Sequence, residues 1–573
     1  MFREFIPKSF LYFRSGYDAN TFRKDLFAGV TVGIIALPLA MAFAISSGTA
    51  PERGLFTAII AGFLISALGG CRAQIGGPTG AFVVIVYDIM QRTGYEGLAV
   101  STIIAAVILV LLGVFKLGSW IKYVPHPLIT GFTTGIAVII FSSQIKDFFG
   151  LNMGALPSDF VGKWVAYGRA SSSFHLPTLL LGFGTFALIL AIRKFLPKIP
   201  WGIAAIVLAT LCSYCFNLPV DTIYTKFGQI PNQLPIPSLP SFHILEGKSA
   251  EIFMDAITIA FLAGIESLLS AVIADGMMGS RHKSNCELIG QGVANFASIL
   301  FGGIPATGAI ARTAANIKNG AQTPAAGMIH AITFLFIILF LAPIVSLIPL
   351  ASLAAVLIMV AWNMSEISQF IRLFNAPIGD VAILLTAFFL TVFVDITVAV
   401  SVGMILASFL FMKRMSEYSK TISLTKLFQE PLSDFPELFD SDSIAPKKLP
   451  QDVEVYELQG PFFFGAADVL KDILNNLEKA PTVFILRMKH VPMVDASGMH
   501  ALKEFHQKCY HSKTILLLSG VQGRTQLDLE KFGLTQLIGQ SHIFSNIDDA
   551  LVKSKELIVD KKVQESVPCG MNS

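Results

Sequence analysis

Two charged residues stand where the surrounding sequence should exclude them. Glu266 lies inside the apolar run FLAGIESLLSAVIA, and Arg312 follows a Gly/Pro/Thr-rich break over residues 302–308 that reads GGIPATG. A charge at the middle of a bilayer costs about 2.5–3.5 kcal/mol on insertion scales, so both residues are expected to have a task. Glu266 and Ser270 are four residues apart and share a helix face. A carboxylate beside a hydroxyl can ligate a hard cation. A carboxyl withdrawn from water has its charged form disfavoured, which equally suits a proton carrier. The competing reading of Glu266 is an intramembrane salt bridge that locks two helices. Arg312 suits the counter-charge of an anion, or of Glu266 when no anion is bound; otherwise it is an arginine snorkelling to the interface. A helix that opens abruptly after the break at 302–308 aims unpaired N–H groups and a positive dipole end at whatever precedes it. The chemistry these features suit is recognition of an anion together with handling of a cation.

Bond-making chemistry finds no support. No Ser, His or Asp sits on a nucleophile elbow, no metal-ligand spacing occurs, and the phosphate-loop pattern GxxxxGK[ST] is absent, so no enzyme, cofactor, resident metal or nucleotide-driven pump is expected. The six cysteines are scattered. Cys212 and Cys215 form a C-x-x-C inside an apolar run, where helix packing explains them better than redox chemistry. No nucleic-acid partner is indicated by the net charge of +3.

The elements that must hold these residues are membrane helices. The chain has 573 residues, 53% hydrophobic and 14% charged, against about 25% charged in a typical soluble protein. Windows of about 20 apolar residues, enough to cross roughly 30 Å of hydrocarbon, recur throughout. Apolar segments fall near 27–45, 54–68, 81–90, 97–115, 128–143, 175–196 and 201–216. A second set falls near 252–274, 288–301, 308–317, 326–345, 349–362, 379–394 and 396–412. The expected fold is a polytopic α-helical membrane protein with 14 membrane segments in a 7+7 arrangement, of which those at 81–90 and 308–317 are too short to span alone. Residues 1–26 are basic, with no signal-peptide cleavage site, and are expected in the cytoplasm. Alternating spans then place Arg72, Arg193/Lys194, Arg281/Lys283, Lys318 and Lys413/Arg414 on the same side, in keeping with the positive-inside rule.

The two sets echo each other. LGGCRAQIGGPTGAF over 68–82 and FGGIPATGAIAR over 301–312 each run from a double glycine through Gly/Pro/Thr into a truncated helix. Short, Gly/Pro-interrupted segments at matching places in two halves are the best sequence pointer to a transporter binding site. An odd number of spans per half makes the repeats inverted, so the two half-helices should meet N-terminus to N-terminus at mid-membrane.

A transmembrane domain over 27–414 is followed by a linker over 415–450. Strands then alternate with helices over 451–560, the pattern of a small α/β domain with a mixed sheet. Residues 561–573 read as a tail.

The runs DLFAGVTVGIIALPLAMAFAI (25–45), IGGPTGAF (75–82), GIESLLSAVIADGMMGSRHKSNCELIGQGVAN (264–295) and GAIARTAANIKNGAQTP (308–324) resemble the SulP family of anion transporters. The C-terminal part resembles that family's STAS domain, with the loop Asp495-Ala496-Ser497-Gly498 in the place of the signature loop of anti-sigma-factor antagonists. Over 264–366, including MVAWNMSE, the chain is similar to the C4-dicarboxylic acid permeases of proteobacteria. The resemblance implies a core domain of spans 1–4 and 8–11 and a gate domain of spans 5–7 and 12–14. It further implies an elevator-like motion of core against gate and a homodimer. The substrate would sit between spans 3 and 10, bound by backbone N–H groups of Thr79, Gly80 and Ala81 facing those of Gly308, Ala309 and Ile310, with the Thr79 hydroxyl as a further donor and Arg312 supplying positive potential. Glu266 and Ser270 would serve the coupling ion. Leu39 and Phe43, beside the helix-interrupting Pro38, match positions that line the site, though Phe43 is equally explained by packing.

Other polar residues have simpler explanations. Asp395 reads as a turn residue, His330 as a packed or interhelical hydrogen-bonding histidine, and the Arg281/His282/Lys283 cluster with Asn285 as a cytoplasmic loop. Ser497 resembles a phosphorylated serine, while Asp495 or Ser497 as a helix cap is the plainer reading. The expected function is secondary transport of a small anion across the cytoplasmic (inner) membrane, with both termini inside. Proton-coupled uptake of C4-dicarboxylates such as succinate or fumarate leads; sulfate, sodium-coupled bicarbonate, an anion channel and a membrane anion sensor are the alternatives. The STAS-like domain offers a surface for a cytoplasmic protein partner.

Overall fold

The computed structural model describes residues 4–14, 16–119, 124–153, 157, 159–196, 200–394, 396–418, 420–423, 449–450, 452–463, 470 and 480–566. Asp395, most of the expected linker and most of residues 464–479 lie outside them. The chain divides into two compact units, Met1–Ala407 and Ser408–Ser573.

In the first unit, Lys8–Arg14 (α1) precedes Ala19–Ser46 (α2) and Pro51–Leu68 (α3). Gly80–Val114 (α4) is broken at Gly94, whose φ of 67° interrupts the helix after a short first piece. His126–Phe149 (α5), the connecting helix Phe160–Ala170 (α6), Leu176–Phe195 (α7), Trp201–Cys215 (α8) and the short Ile223–Phe227 (α9) follow. The second set comprises Leu245–Met278 (α10), Ser284–Leu300 (α11), Ile310–Lys318 (α12), Ala325–Val345 (α13), Leu350–Met364 (α14), the short Ile367–Arg372 (α15), Ile378–Phe393 (α16) and Ile396–Tyr418 (α17). With α4 counted as two, the expected segments are all present. Among the described residues, nine helices are long and apolar enough to cross a membrane. The nine residues of α12 rise only about 14 Å at 1.5 Å each, half of a hydrocarbon core.

The helices pack as two bundles. One joins α2, α3 and α4 to α10–α13, and the other joins α5, α7 and α8 to α14 and α16. Lipid gives helices no hydrophobic reason to associate, so close van der Waals approach at small residues must do it. Gly29 and Gly33 of α2 let that helix lie against Ala326, Ile329 and Thr333 of α13, and Gly131 and Gly135 of α5 do the same against Leu384 and Thr391 of α16.

The first span differs from expectation. Pro38 does not interrupt it: α2 runs unbroken from Ala19 to Ser46 with Pro38 inside. Membrane helices tolerate the missing N–H because neighbouring groups re-satisfy the freed carbonyl.

Buried carboxylates tie the two halves together. Asp25 of α2, fully buried, accepts hydrogen bonds from the N–H of Gln322 (2.6 Å) and the N–H (3.1 Å) and hydroxyl (2.5 Å) of Thr323, just ahead of α13, and from the Tyr17 hydroxyl (3.0 Å). Glu287 of α11 accepts from the N–H groups of Gly70 (2.8 Å) and Cys71 (3.1 Å), just past α3, and from the Gln291 amide (2.9 Å). Each carboxylate thus binds a helix of one half to a loop of the other.

The second unit carries a five-stranded sheet. Lys420–Ser423 (β3) pairs antiparallel with Val453–Gln459 (β4); Val483–His490 (β5), Ile515–Ser519 (β6) and Ile543–Phe544 (β7) follow in parallel. The edge strand β3 and the continuation of α17 to Tyr418 both fall inside the stretch expected to be linker. Three polar residues and one apolar one carry little periodicity, and β4 supplies the pairing that orders them. Alternate residues of β5 serve opposite faces: Phe484 and Leu486 join the cluster around Phe505, whereas Val483 and Ile485 join the one around Ile547 and Leu551. Ala496–His511 (α18) and Ile547–Ser566 (α21) cover those faces, with Gly523–Lys531 (α19) and Leu534–Ile538 (α20) between them in sequence. The helix α21 reaches six residues into the expected tail (561–566).

Replacing Asp25 with Ala leaves three donors at Gln322 and Thr323 unpaired. It is expected to destabilise the protein by about 2–4 kcal/mol, read as a lower thermal-unfolding midpoint in detergent than that of Asp25→Asn.

Candidate functional site

The site begins with two residues of backbone on each side. Gly76–Gly77 (β1) and Thr307–Gly308 (β2) pair antiparallel, Gly76 opposite Gly308 and Gly77 opposite Thr307. The N–H of Ala309 donates to Ile75 O at 2.8 Å, extending the ladder. Helix α4 starts three residues after β1 and α12 two residues after β2. The pairing therefore fixes both truncated helices by their N-termini at one place, as the inverted repeat requires. Glycine is needed at both ends of this contact. Gly77 adopts φ 146°, where a side chain is strained, and a Cβ at Gly308 would run into the Gln74 side-chain amide.

Hydroxyls that the sequence did not single out brace the crossing. Ser267 Oγ and Thr307 Oγ1 lie 2.7 Å apart, the N–H of Gly308 donates to Ser267 Oγ at 3.1 Å, and the N–H of Ile75 donates to Thr313 Oγ1 at 3.0 Å. Ser270 donates its hydroxyl to Thr313 at 3.0 Å. Gln74 donates to Ser267 O, and Asn316 donates to Ala73 O. Ser267 lies one residue from Glu266 and Thr313 one from Arg312, so only their proximity in sequence to charged residues could have marked them.

These bonds alter the expected donor set. The amides of Gly308 and Ala309 are already engaged, the first by Ser267 Oγ and the second by Ile75 O. On this side the N–H groups without an acceptor four residues back are those opening α12, from Ile310 onward. On the other side Gly80 and Ala81 open α4, and the first bond back to the cap is Phe82 N–H to Thr79 O at 3.2 Å. Thr79 caps α4 without using its side chain, and its buried Oγ1 has no partner among the described residues.

Arg312 is 5% exposed and does not snorkel. Its guanidinium donates through Nη2 to Pro78 O, two residues ahead of α4, while Nη1 has no partner among the described residues. The bare Cα of Gly77 makes room for that Nη1. Glu266, 9% exposed on α10, lies within electrostatic reach of Arg312, yet among the described residues no ion pair joins them within 4 Å. A helix lock by salt bridge is thus not what Glu266 forms here. An uncommitted carboxyl, an arginine with one free face and two helix N-termini converge on one point.

The gate bundle closes over this point. A side chain on Gly80 would press on Met364 at the end of α14 and Ile140 of α5. Leu39 and Phe43 of α2 belong to the same apolar cluster as Ala81, Phe82 and Ile140. A cavity of about 500 Å³ between the bundles reaches Val83 and Val84, one turn past Gly80, with Arg92 at its rim held by Asp88 (2.8 Å) and Asp255 (2.9 Å). His330 is fully buried against Phe334, with ring centroids 5.0 Å apart; neither ring nitrogen has a hydrogen-bond partner among the described residues, so the packed reading holds and the interhelical bond does not form. Asn285 accepts from the N–H of Gly118 at 3.0 Å, and His282 lies 2.7 Å from Asp275.

Known proteins are similar to this chain. The profile of the sulfate permease family matches residues 22–387, and that of the STAS domain matches residues 445–550. The chain belongs to the sulfate permease family. The putative sulfate transporter YvdB of Bacillus subtilis (strain 168) is 41% identical over 536 residues, covering 93% of this chain and 98% of its own. The bicarbonate transporter BicA of Picosynechococcus sp. is 30% identical over 551 residues, covering 92% and 94%. Among solved structures, murine Solute Carrier 26 family member A9 in its inward-facing state has a TM-score of 0.84 over 96% of this chain and 94% of that one; at 17% identity this is a likeness of fold. The transmembrane domain of a cyanobacterial BicA gives 0.59 at 30% identity over 68% and 98%. The protein is a helical membrane transporter with a C-terminal STAS domain, and its relatives are named transporters, in line with the reading that it is no enzyme.

In the STAS domain of this sulfate permease relative, Asp495 is the cap of α18, accepting the N–H of Gly498 at 2.7 Å. Ser497 is exposed in the first turn.

Gly308→Ala is expected to cut uptake of the transported anion about tenfold or more by forcing the half-helix crossing apart, with normal membrane insertion. Gln74→Ala in the same chain should restore part of it, both measured as radiolabelled uptake per inserted protein.

Proposed function

We propose that the protein is a secondary active transporter of small anions that binds its substrate between the N-termini of α4 and α12 and carries it by moving the core bundle against the gate. The observation that supports this reading is the antiparallel pairing of Gly76–Gly77 with Thr307–Gly308, which aims the open amides of Gly80, Ala81 and Ile310 and the free Nη1 of Arg312 at one location. Helix N-termini favour negative charge, and in a site shielded from water each such donor counts for more than it would in solution.

Coupling is assigned to Glu266. A carboxyl beside an arginine it does not bond can lose or gain a proton as an anion arrives, so one proton travels with each substrate. Proton-coupled uptake of C4-dicarboxylates suits the apolar Leu39 and Phe43, which offer the methylenes of succinate a wall while its carboxylates face the amides. Transport of sulfate, or of bicarbonate with sodium at Glu266 and Ser270, is the second reading, and the names of the relatives favour it. The proposed setting is a homodimer in the bacterial inner membrane, both termini cytoplasmic, with the STAS domain facing a cytoplasmic protein partner; the basic residues on alternate connections support that orientation.

Purified protein in liposomes with an imposed proton gradient tests this. Wild-type protein should accumulate labelled succinate, and Glu266→Gln should reduce gradient-driven uptake to background with insertion intact. Gradient-dependent uptake surviving in that variant overturns the coupling role. Competition by unlabelled succinate, fumarate, sulfate and bicarbonate, with and without sodium, ranks the substrates. A saturable flux separates a transporter from a channel, and any flux separates it from a sensor.

A further inference from the structure

The gate bundle carries a groove that the transport site does not use. It is about 600 Å³ in volume and is floored by Ala137, Val138 and Phe141 of α5, Leu190 of α7, and Ile358 and Trp362 of α14. Its walls are apolar and open: Phe141 is 41%, Leu190 48% and Trp362 67% exposed. At one end stands Arg193, in the last turn of α7 beside Lys194. Among the described residues its guanidinium has soft partners, donating to Met359 Sδ at 2.5 Å and lying 6.0 Å from the Trp201 ring centre. Among the described residues no carboxylate lies within 4 Å of Arg193 or Lys194. Sulfur and ring hold the guanidinium flat at the mouth of the groove without neutralising it.

We infer that this groove is a binding site for an anionic phospholipid, with an acyl chain along α5, α7 and α14 and the phosphate on Arg193 and Lys194. In a bilayer an apolar groove gains nothing by preferring one acyl chain to another, since the surrounding lipid is equally apolar. Selectivity must therefore come from the head group, and two adjacent cations at a helix end are complementary to a phosphate diester. The helices that form the floor also form the wall of the proposed transport site: Ile140 lies one residue before Phe141 and Met364 two after Trp362, and both would meet a side chain placed on Gly80. A lipid seated in the groove braces the surface against which the core slides.

Native mass spectrometry of the full-length protein, released from micelles containing equal phosphatidylglycerol and phosphatidylcholine, reads this without any transport assay. Wild-type protein should retain phosphatidylglycerol about tenfold over phosphatidylcholine, the effect of one charge-assisted contact. The double variant Arg193→Gln/Lys194→Gln should lose the preference, and Leu190→Trp, which fills the groove, should lower retention of both lipids. An undiminished preference in the double variant overturns the proposal. So does cross-linking of a Leu190→Cys variant to a second copy through the groove, beyond that of the unsubstituted protein, since a protomer would then occupy it.

Discussion

Four residues of backbone, paired in the interior of a membrane unit, set the terms for everything else in this transporter. Hydrocarbon offers no partners for peptide groups, so a chain that leaves the helical conformation at that depth must satisfy them within the protein. The pairing of Gly76–Gly77 with Thr307–Gly308 does so with two strands from opposite halves. The leading amides of the two helices, which have no helical acceptor, are then left at a single point. The same interaction that makes the breaks tolerable thus creates the proposed site.

The rest of the core exists to keep that pairing in register. Asp25 and Glu287 gather loop amides across the halves, and the hydroxyls of Ser267, Thr307 and Thr313 fill the remaining valences around the crossing. Arg312 is both part of this frame, through Pro78, and part of the site, through its open Nη1. Keeping Glu266 within electrostatic reach but out of bonding distance is consistent with a carboxyl whose state is decided by what enters, rather than by a permanent partner. A gate held together by glycine contacts, with no buried ion pair joining it to the crossing among the described residues, suits the proposed movement of the core against it.

The chain's apolar segments, its duplicated Gly/Pro/Thr breaks and the misplaced charges at 266 and 312 determined the membrane class, the seven-plus-seven count and the neighbourhood of the site, because span length and charge exclusion in lipid are properties of local sequence. The alternation of Val483, Phe484, Ile485 and Leu486 likewise reads directly as a strand buried on both faces. Only the tertiary structure decided which donors stay open. The Ala309 amide is consumed by Ile75, 234 residues away in sequence, and the Gly308 amide by the Ser267 hydroxyl on α10, and no local pattern reveals bonds whose other halves lie on distant elements. Pro38 left no break in α2, since membrane helices tolerate a lost hydrogen bond, and residues 420–423 became a strand because β4 had a free edge to offer. Sequence states what each segment needs; which group meets that need depends on where the fold brings distant segments together.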